Sequence, residues 1–95
     1  MATLVKNKRR RHQMELLRNN KPEVSKECAV LKSRTLSLID EGYVCRVYWN
    51  KPELFLARLK HRHNGSEIVI SGVPSQNYFS QTRNGLKVID KQPIL

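Results

Sequence analysis

The hydrophobic period of this chain changes once, at Gly42, and that change limits the folds open to it. Ahead of Gly42, the residues Val24, Cys28, Leu31, Thr35, Leu38 and Ile39 recur at three- and four-residue spacing, which sets them on one stripe of a helix. The spacing predicts a helix over 23–41, with Lys26, Lys32, Ser33, Arg34 and Ser37 on its other faces. Gly42 is a good stop, because glycine adopts the left-handed conformation freely. Asp40 and Glu41 oppose the macrodipole at that end, so local propensity does not account for the pair.

Beyond Gly42 the period is two. YVCRVYW (43–49) reads as a strand, Asn50-Lys51-Pro52-Glu53 as a turn, and LFLARLKHR (54–62) as a second strand. Asn64-Gly65 predicts a two-residue type I′ hairpin turn, with SEIVIS (66–71) returning. That turn would set Arg62 opposite Glu67, His61 opposite Ile68 and Leu59 opposite Ile70. Phe55, Ala57, Leu59 and His61 then share a core face with Ile68 and Ile70, and Leu56, Arg58, Lys60 and Arg62 face outward. Residues 73–85 read as a loop with one helical turn at 75–80, and LKVI (86–89) as a short last strand. Near the N-terminus, Met14, Leu16 and Leu17 could form a short helical stripe, ended by Asn19-Asn20-Lys21-Pro22. The expected class is α+β, with two N-terminal helices on a small antiparallel sheet centred on the hairpin. Residues 1–11 would be a basic arm and 12–95 one RNA-binding domain.

Charge narrows the function. The 95 residues carry a net charge of +10, which concerns partners and not fold. Nucleic acid is the commonest partner for such a balance, ahead of anionic lipid or an acidic protein. No run is long enough to cross a membrane, and MATLVKNKRRRHQ lacks the apolar segment of a secretory signal. The first 21 residues have Glu15 as their one acid, which fits a mitochondrial targeting sequence and a basic RNA-binding arm equally. Cys28 and Cys45 make no disulfide framework and read as reduced thiols.

Catalysis and metal binding find little support. His61 and His63 lie two residues apart, without the paired spacing of zinc ligands, and His61 follows the core row. Cys28 sits on the apolar helix stripe, as an inert thiol would. The four glycines form no phosphate loop. No enzyme activity, cofactor or metal is expected. What remains is two basic elements, the arm Lys6, Lys8, Arg9, Arg10 and Arg11, and the row Arg58, Lys60 and Arg62. One such row alone reads equally well as a solvated face. Two in so small a chain favour phosphate contacts, with salt-dependent binding. RNA recognition, largely by shape and backbone, suits an arm together with a sheet.

The order of these elements resembles the N-terminal domain of the family of small-ribosomal-subunit protein number eight, over roughly residues 12–90. Leu17-Arg18-Asn19 is similar to the Ile-Arg-Asn ending of that family's first helix. Glu41-Gly42-Tyr43-Val44 matches its Glu-Gly-Phe/Tyr-Ile junction, and Leu54-Phe55-Leu56-Ala57-Arg58-Leu59-Lys60 its hairpin strand. Thr82-Arg83-Asn84-Gly85-Leu86-Lys87-Val88-Ile89 stands where the family has Ser-Lys-Pro-Gly-Leu-Arg-Val-Tyr, with Asn84 in place of proline. The connection after Asn19 is short, and the family's C-terminal domain with its Ser-Thr-Ser loop has no counterpart in the 95 residues. The resemblance implies a structural, non-catalytic constituent of the small ribosomal subunit. It implies contacts with ribosomal RNA and with an S-five-type neighbour, and no homo-oligomer. A reduced domain with a basic arm implies a mitochondrial ribosome in the matrix, or alternatively a bacterial cytoplasm. The candidate RNA-binding residues are Lys8, Arg9, Arg10, Arg11, Arg18, Arg58, Lys60, Arg62, Arg83 and Lys87. Two rivals stay open. One is a winged-helix DNA-binding regulator with Lys32 and Arg34 on its recognition helix. The other is a small phage- or plasmid-type protein docking on an acidic host protein.

Overall fold

The structure is a computed structural model that describes residues 25–95. One helix, α1 (Lys26–Asp40), precedes five strands: β1 (Tyr43–Lys51), β2 (Leu54–His61), β3 (Glu67–Val73), β4 (Tyr78–Arg83) and β5 (Leu86–Pro93). The strands lie in sequence order in one antiparallel sheet. The class is α+β. The sheet is larger than a single hairpin implies, and the described residues hold one α-helix where two N-terminal helices were expected. The expected helical segment within 12–21 and the boundary after residue 11 lie outside the described residues.

Helix α1 opens at Ser25, whose extended backbone and hydroxyl make it an N-cap: Oγ accepts a bond from the Cys28 N–H at 3.1 Å. Its buried stripe is Cys28, Leu31, Thr35, Leu38 and Ile39, as the spacing predicts, although the helix starts at Lys26 and not at 23, and Val24 lies outside the described residues. Thr35 is tolerated inside because its hydroxyl donates to the Leu31 carbonyl at 2.9 Å. At the other end Gly42 takes φ of 111° and its N–H bonds the Ile39 carbonyl. A Cβ there would also sit 3.0 Å from the His61 ring, so both the turn and the packing require glycine.

The β2–β3 hairpin corrects the expected register. Lys60 pairs Glu67, Leu59 pairs Ile68 and Ala57 pairs Ile70, with residues 62–66 between the strands. The slip is two residues, an even number, so Phe55, Ala57 and Leu59 keep the core face and Leu56, Arg58 and Lys60 the outward face assigned from sequence. The type I′ turn lies instead at Asn84-Gly85, with φ of 53° and 84°, joining β4 to β5 where Arg83 pairs Leu86. Asn84 holds it, since its N–H donates to the Glu67 carbonyl and its Oδ1 accepts from the Glu67 N–H, both at 2.8 Å. Proline could make neither the positive φ nor the donated bond.

Residues 73–85 are the second correction. A 3-10 turn occupies Pro74–Gln76, Asn77 adopts the left-handed region, and 78–83 form a strand instead of loop. Strand β5 then runs on to Pro93, four residues past the expected end. The core lies between α1 and the sheet and gathers Leu31, Leu38, Ile39, Tyr43, Phe55, Ala57, Leu59, Ile68, Ile70, Phe79 and Ile94.

Neither cysteine is in a disulfide; Cys28 is 1% exposed and Cys45 half-buried. Burial pushes the Cys45 thiol up to about 11. The folded state thus holds the Cys45 proton more tightly than the unfolded chain does. Its contribution to stability is complete below the ordinary thiol range and is lost as pH climbs from about 9 toward 11. In a disulfide-exchange assay at pH 8, both thiols are expected to react at least about tenfold more slowly than in denaturant. Fast labelling of native protein at Cys45 would contradict this.

Candidate nucleic-acid interface

An antiparallel sheet with helix on one side exposes every second residue on the other. Register places those residues in rows running across the strands. Lys51, Leu54, Val73 and Tyr78 make one row; Trp49, Leu56, Ser71 and Ser80 the next. Val47, Arg58, Val69, Thr82 and Lys87 form the third, and Val44, Lys60 and Glu67 the last. None of these residues is buried. Lys91 joins the same face, with its ammonium 4.8 Å from the centre of the Tyr78 ring. On the opposite corner the Lys51 ammonium lies 5.4 Å from the Trp49 ring.

The electrostatics of the face are one-sided. Arg58 pairs with Glu67 and Lys87 with Asp90, each at 3.3 Å, with both partners well exposed. Pairs of that kind are worth about 0–1 kcal/mol, so a phosphate could displace either carboxylate. Among the described residues, Lys51, Lys60 and Lys91 have no carboxylate at ion-pair distance.

Of the candidates named from sequence, Arg58, Lys60 and Lys87 therefore come together. Arg62 does not: it has left the strand, and its N–H bonds the Gly42 carbonyl at 3.2 Å. Arg83 pairs with Ile68 and so sits at the end of a core-facing row, on the helix side of the sheet. Lys8, Arg9, Arg10, Arg11 and Arg18 lie outside the described residues. Sequence reasoning missed Lys51, Lys91, Trp49 and Tyr78. Trp49 and Lys51 were legible from the alternation of β1, which puts both opposite to Tyr48 and Asn50. Tyr78 and Lys91 were hidden in segments read as loop or tail.

His61 has a structural task. Its Nδ1 accepts bonds from the backbone N–H groups of His63 and Asn64, at 3.2 and 3.4 Å, and its ring meets Tyr43 edge-on with centroids 4.9 Å apart. Those bonds make the ring the cap of the β2–β3 loop. Among the described residues no three His, Cys, Asp or Glu side chains cluster to hold a metal ion, and no helix is long and apolar enough to cross a membrane.

On the helix side, α1 rests mainly on β1 and β2, leaving β4 and β5 partly uncovered. The shallow groove there, about 450 Å³, is lined by Val30, Arg34, Phe79, Val88, Ile89 and Ile94 among others. Arg34 crosses it, donating to Gln81 Oε1 at 3.2 Å with its guanidinium 4.8 Å from the Phe79 ring centre. A winged-helix protein would need Arg34 directed outward from a recognition helix, and here it is folded onto the sheet. No protein-family model matches the chain, and neither a curated protein nor a solved structure matches it.

Proposed function

We propose that this protein binds RNA as a structural, non-catalytic constituent of the small ribosomal subunit. The observation that carries the RNA part is the face of the sheet turned away from α1. Among the described residues five cations, Lys51, Arg58, Lys60, Lys87 and Lys91, share it with two carboxylates, Glu67 and Asp90, that are weakly held. A row of cations across several strands can follow a phosphate backbone. In this reading Lys8, Arg9, Arg10, Arg11 and Arg18 extend the interface from the N-terminal segment, and the helix expected within 12–21 belongs to the same domain. The ribosomal part rests on the ordered motifs. Helix, tight turn at Glu41-Gly42 and hairpin β1–β2 follow in the sequence the resemblance implies. An S-five-type neighbour and a mitochondrial ribosome belong to the same proposal.

The test is sedimentation of tagged protein with its ribosomes. Co-migration with the small subunit in moderate salt, lost as salt rises, is the expected outcome. Absence from that fraction at every salt concentration removes the ribosomal assignment. For RNA binding alone, Arg58→Gln with Lys60→Gln should lower affinity about tenfold and flatten the slope of log affinity against log salt by about 1.4–1.8. An unchanged slope would show that this face does not touch phosphate.

A further inference from the structure

Two rings on the open face are placed where no folding requirement puts them. Trp49 is 50% exposed, although it is the chain's one tryptophan and would bury more apolar area than any other residue. Tyr78 is half-buried on the same face, three strands away. Each ring has an ammonium beside it, Lys51 and Lys91, so each joins an aromatic surface to a positive charge. Between them run Leu54, Leu56 and the Ser71 hydroxyl.

We propose that this face takes single-stranded RNA, stacking one unpaired base on Trp49 and another on Tyr78, with Lys51 and Lys91 on the adjoining phosphates. The proposal rests on the RNA-binding reading and adds the form of RNA to it. Strand spacing and row offset put the two rings about 16 Å apart, given about 4.8 Å between strands and 3.4 Å per residue along them. Consecutive bases in a duplex stack at about 3.4 Å, so a helix cannot offer one base to each ring. A single strand splayed over the sheet can, because its bases are unstacked and their faces free. Charge selects the occupant: an apolar protein patch would have to cover Lys51, Lys60 and Lys91, which have no carboxylate at ion-pair distance among the described residues, whereas a polyanion supplies one phosphate per nucleotide. The Ser71 and Ser80 hydroxyls lie in the row of Trp49, where a ribose 2′-OH would pass.

Because Trp49 is the one tryptophan, its emission reads the site directly. The full-length chain is titrated with a twelve-nucleotide single-stranded oligoribonucleotide and with a blunt RNA duplex of matched charge. The single strand is expected to quench the emission and to bind more tightly than the duplex. By anisotropy of labelled RNA, Trp49→Ala and Tyr78→Ala should each weaken single-strand binding about 5- to 150-fold, and Trp49→Phe should restore most of it. Both side chains are exposed enough that the variants keep the fold, which far-ultraviolet circular dichroism checks. Equal binding of strand and duplex, with unchanged emission and no effect of Trp49→Ala, would overturn the stacking proposal while leaving RNA binding in place. Binding of neither RNA would overturn both. An emission change produced by ribosomal proteins and not by RNA would make the face a protein contact and would likewise overturn the proposal.

Discussion

Phe55→Ala is expected to remove about 3–5 kcal/mol of stability, which is most of what a domain this small possesses. Among the described residues Phe55 is the largest fully buried side chain, on the core-facing row of Asn50, Phe55, Gly72 and Phe79. Tyr48 meets its ring edge-on with centroids 5.7 Å apart, and its cross-strand partners are Asn50 and Gly72. Asn50 is itself tied down, donating to the Cys28 carbonyl and to the Tyr48 hydroxyl. Removing the ring therefore opens a cavity whose walls are pinned by helix and sheet hydrogen bonds and cannot collapse. Urea unfolding measures the loss, with the slope against denaturant unchanged and the thermal midpoint lowered by about 15 °C or more. A loss below 1 kcal/mol would mean that the α1–sheet core is not where the stability resides.

The helix and the first hairpin were legible because their patterns are unmixed. Cys28, Leu31, Thr35, Leu38 and Ile39 keep helical spacing, and Phe55, Ala57 and Leu59 alternate with Leu56, Arg58 and Lys60. Strand β4 was not legible for a physical reason. Its buried positions are Phe79 and Gln81, and a glutamine in a core row erases the alternation that marks a strand. Gln81 is admissible there because Arg34 from the helix satisfies it, a contact 47 residues distant that no local window contains. The hairpin turns were confused for a related reason. Asn-Gly occurs at both 64–65 and 84–85, and sequence alone does not say which has the backbone of a two-residue turn. The bonds from Asn84 to Glu67 decide it, and they cross from the β4–β5 turn to the start of β3.

The candidate interface divided along the same line. Arg58 and Lys60 were found because they sit in a well-patterned strand, and the even register slip could not move them off their face. Arg62 was misplaced because its strand ends at His61; Arg83 flanks the last turn as expected, and register sets it on the helix side of the sheet. Lys91 could not have been found from pattern: it adopts φ of 44°, and its N–H bonds the Ser80 hydroxyl at 2.9 Å, an irregularity that turns its side chain toward Tyr78. The same irregularity, with Pro93, interrupts the regular pairing of β5 near its end, as the bulge between Cys45 and Val47 does on β1. Both outer strands of the sheet are thereby poor templates for another strand. What the sheet offers a partner is its face.

Gly72→Ala is the sharper test of the fold, because it adds one methyl group and is expected to cost about 3 kcal/mol. Gly72 lies on the core face between its cross-strand partners Phe55 and Phe79. A Cβ there would approach the Tyr78 carbonyl oxygen and stand 2.9 Å from both Cα and Cβ of Phe79. Those are backbone or backbone-proximal atoms, which cannot rotate away as the end of a long side chain can. Relief would require β3 and β4 to separate, breaking the pairs Gly72–Phe79 and Val73–Tyr78 and shifting the Tyr78 ring. Gly65→Ala is the control. Gly65 has φ of 72° with nothing near its absent side chain, so alanine there adds only left-handed backbone strain of about 1–2 kcal/mol. Denaturant midpoints should fall further for Gly72→Ala than for Gly65→Ala, although the sequence marks Gly65 as the turn glycine and gives Gly72 no such mark. The reverse order would place the packing of β4 against β3 in error, and with it the position of Tyr78 on the open face.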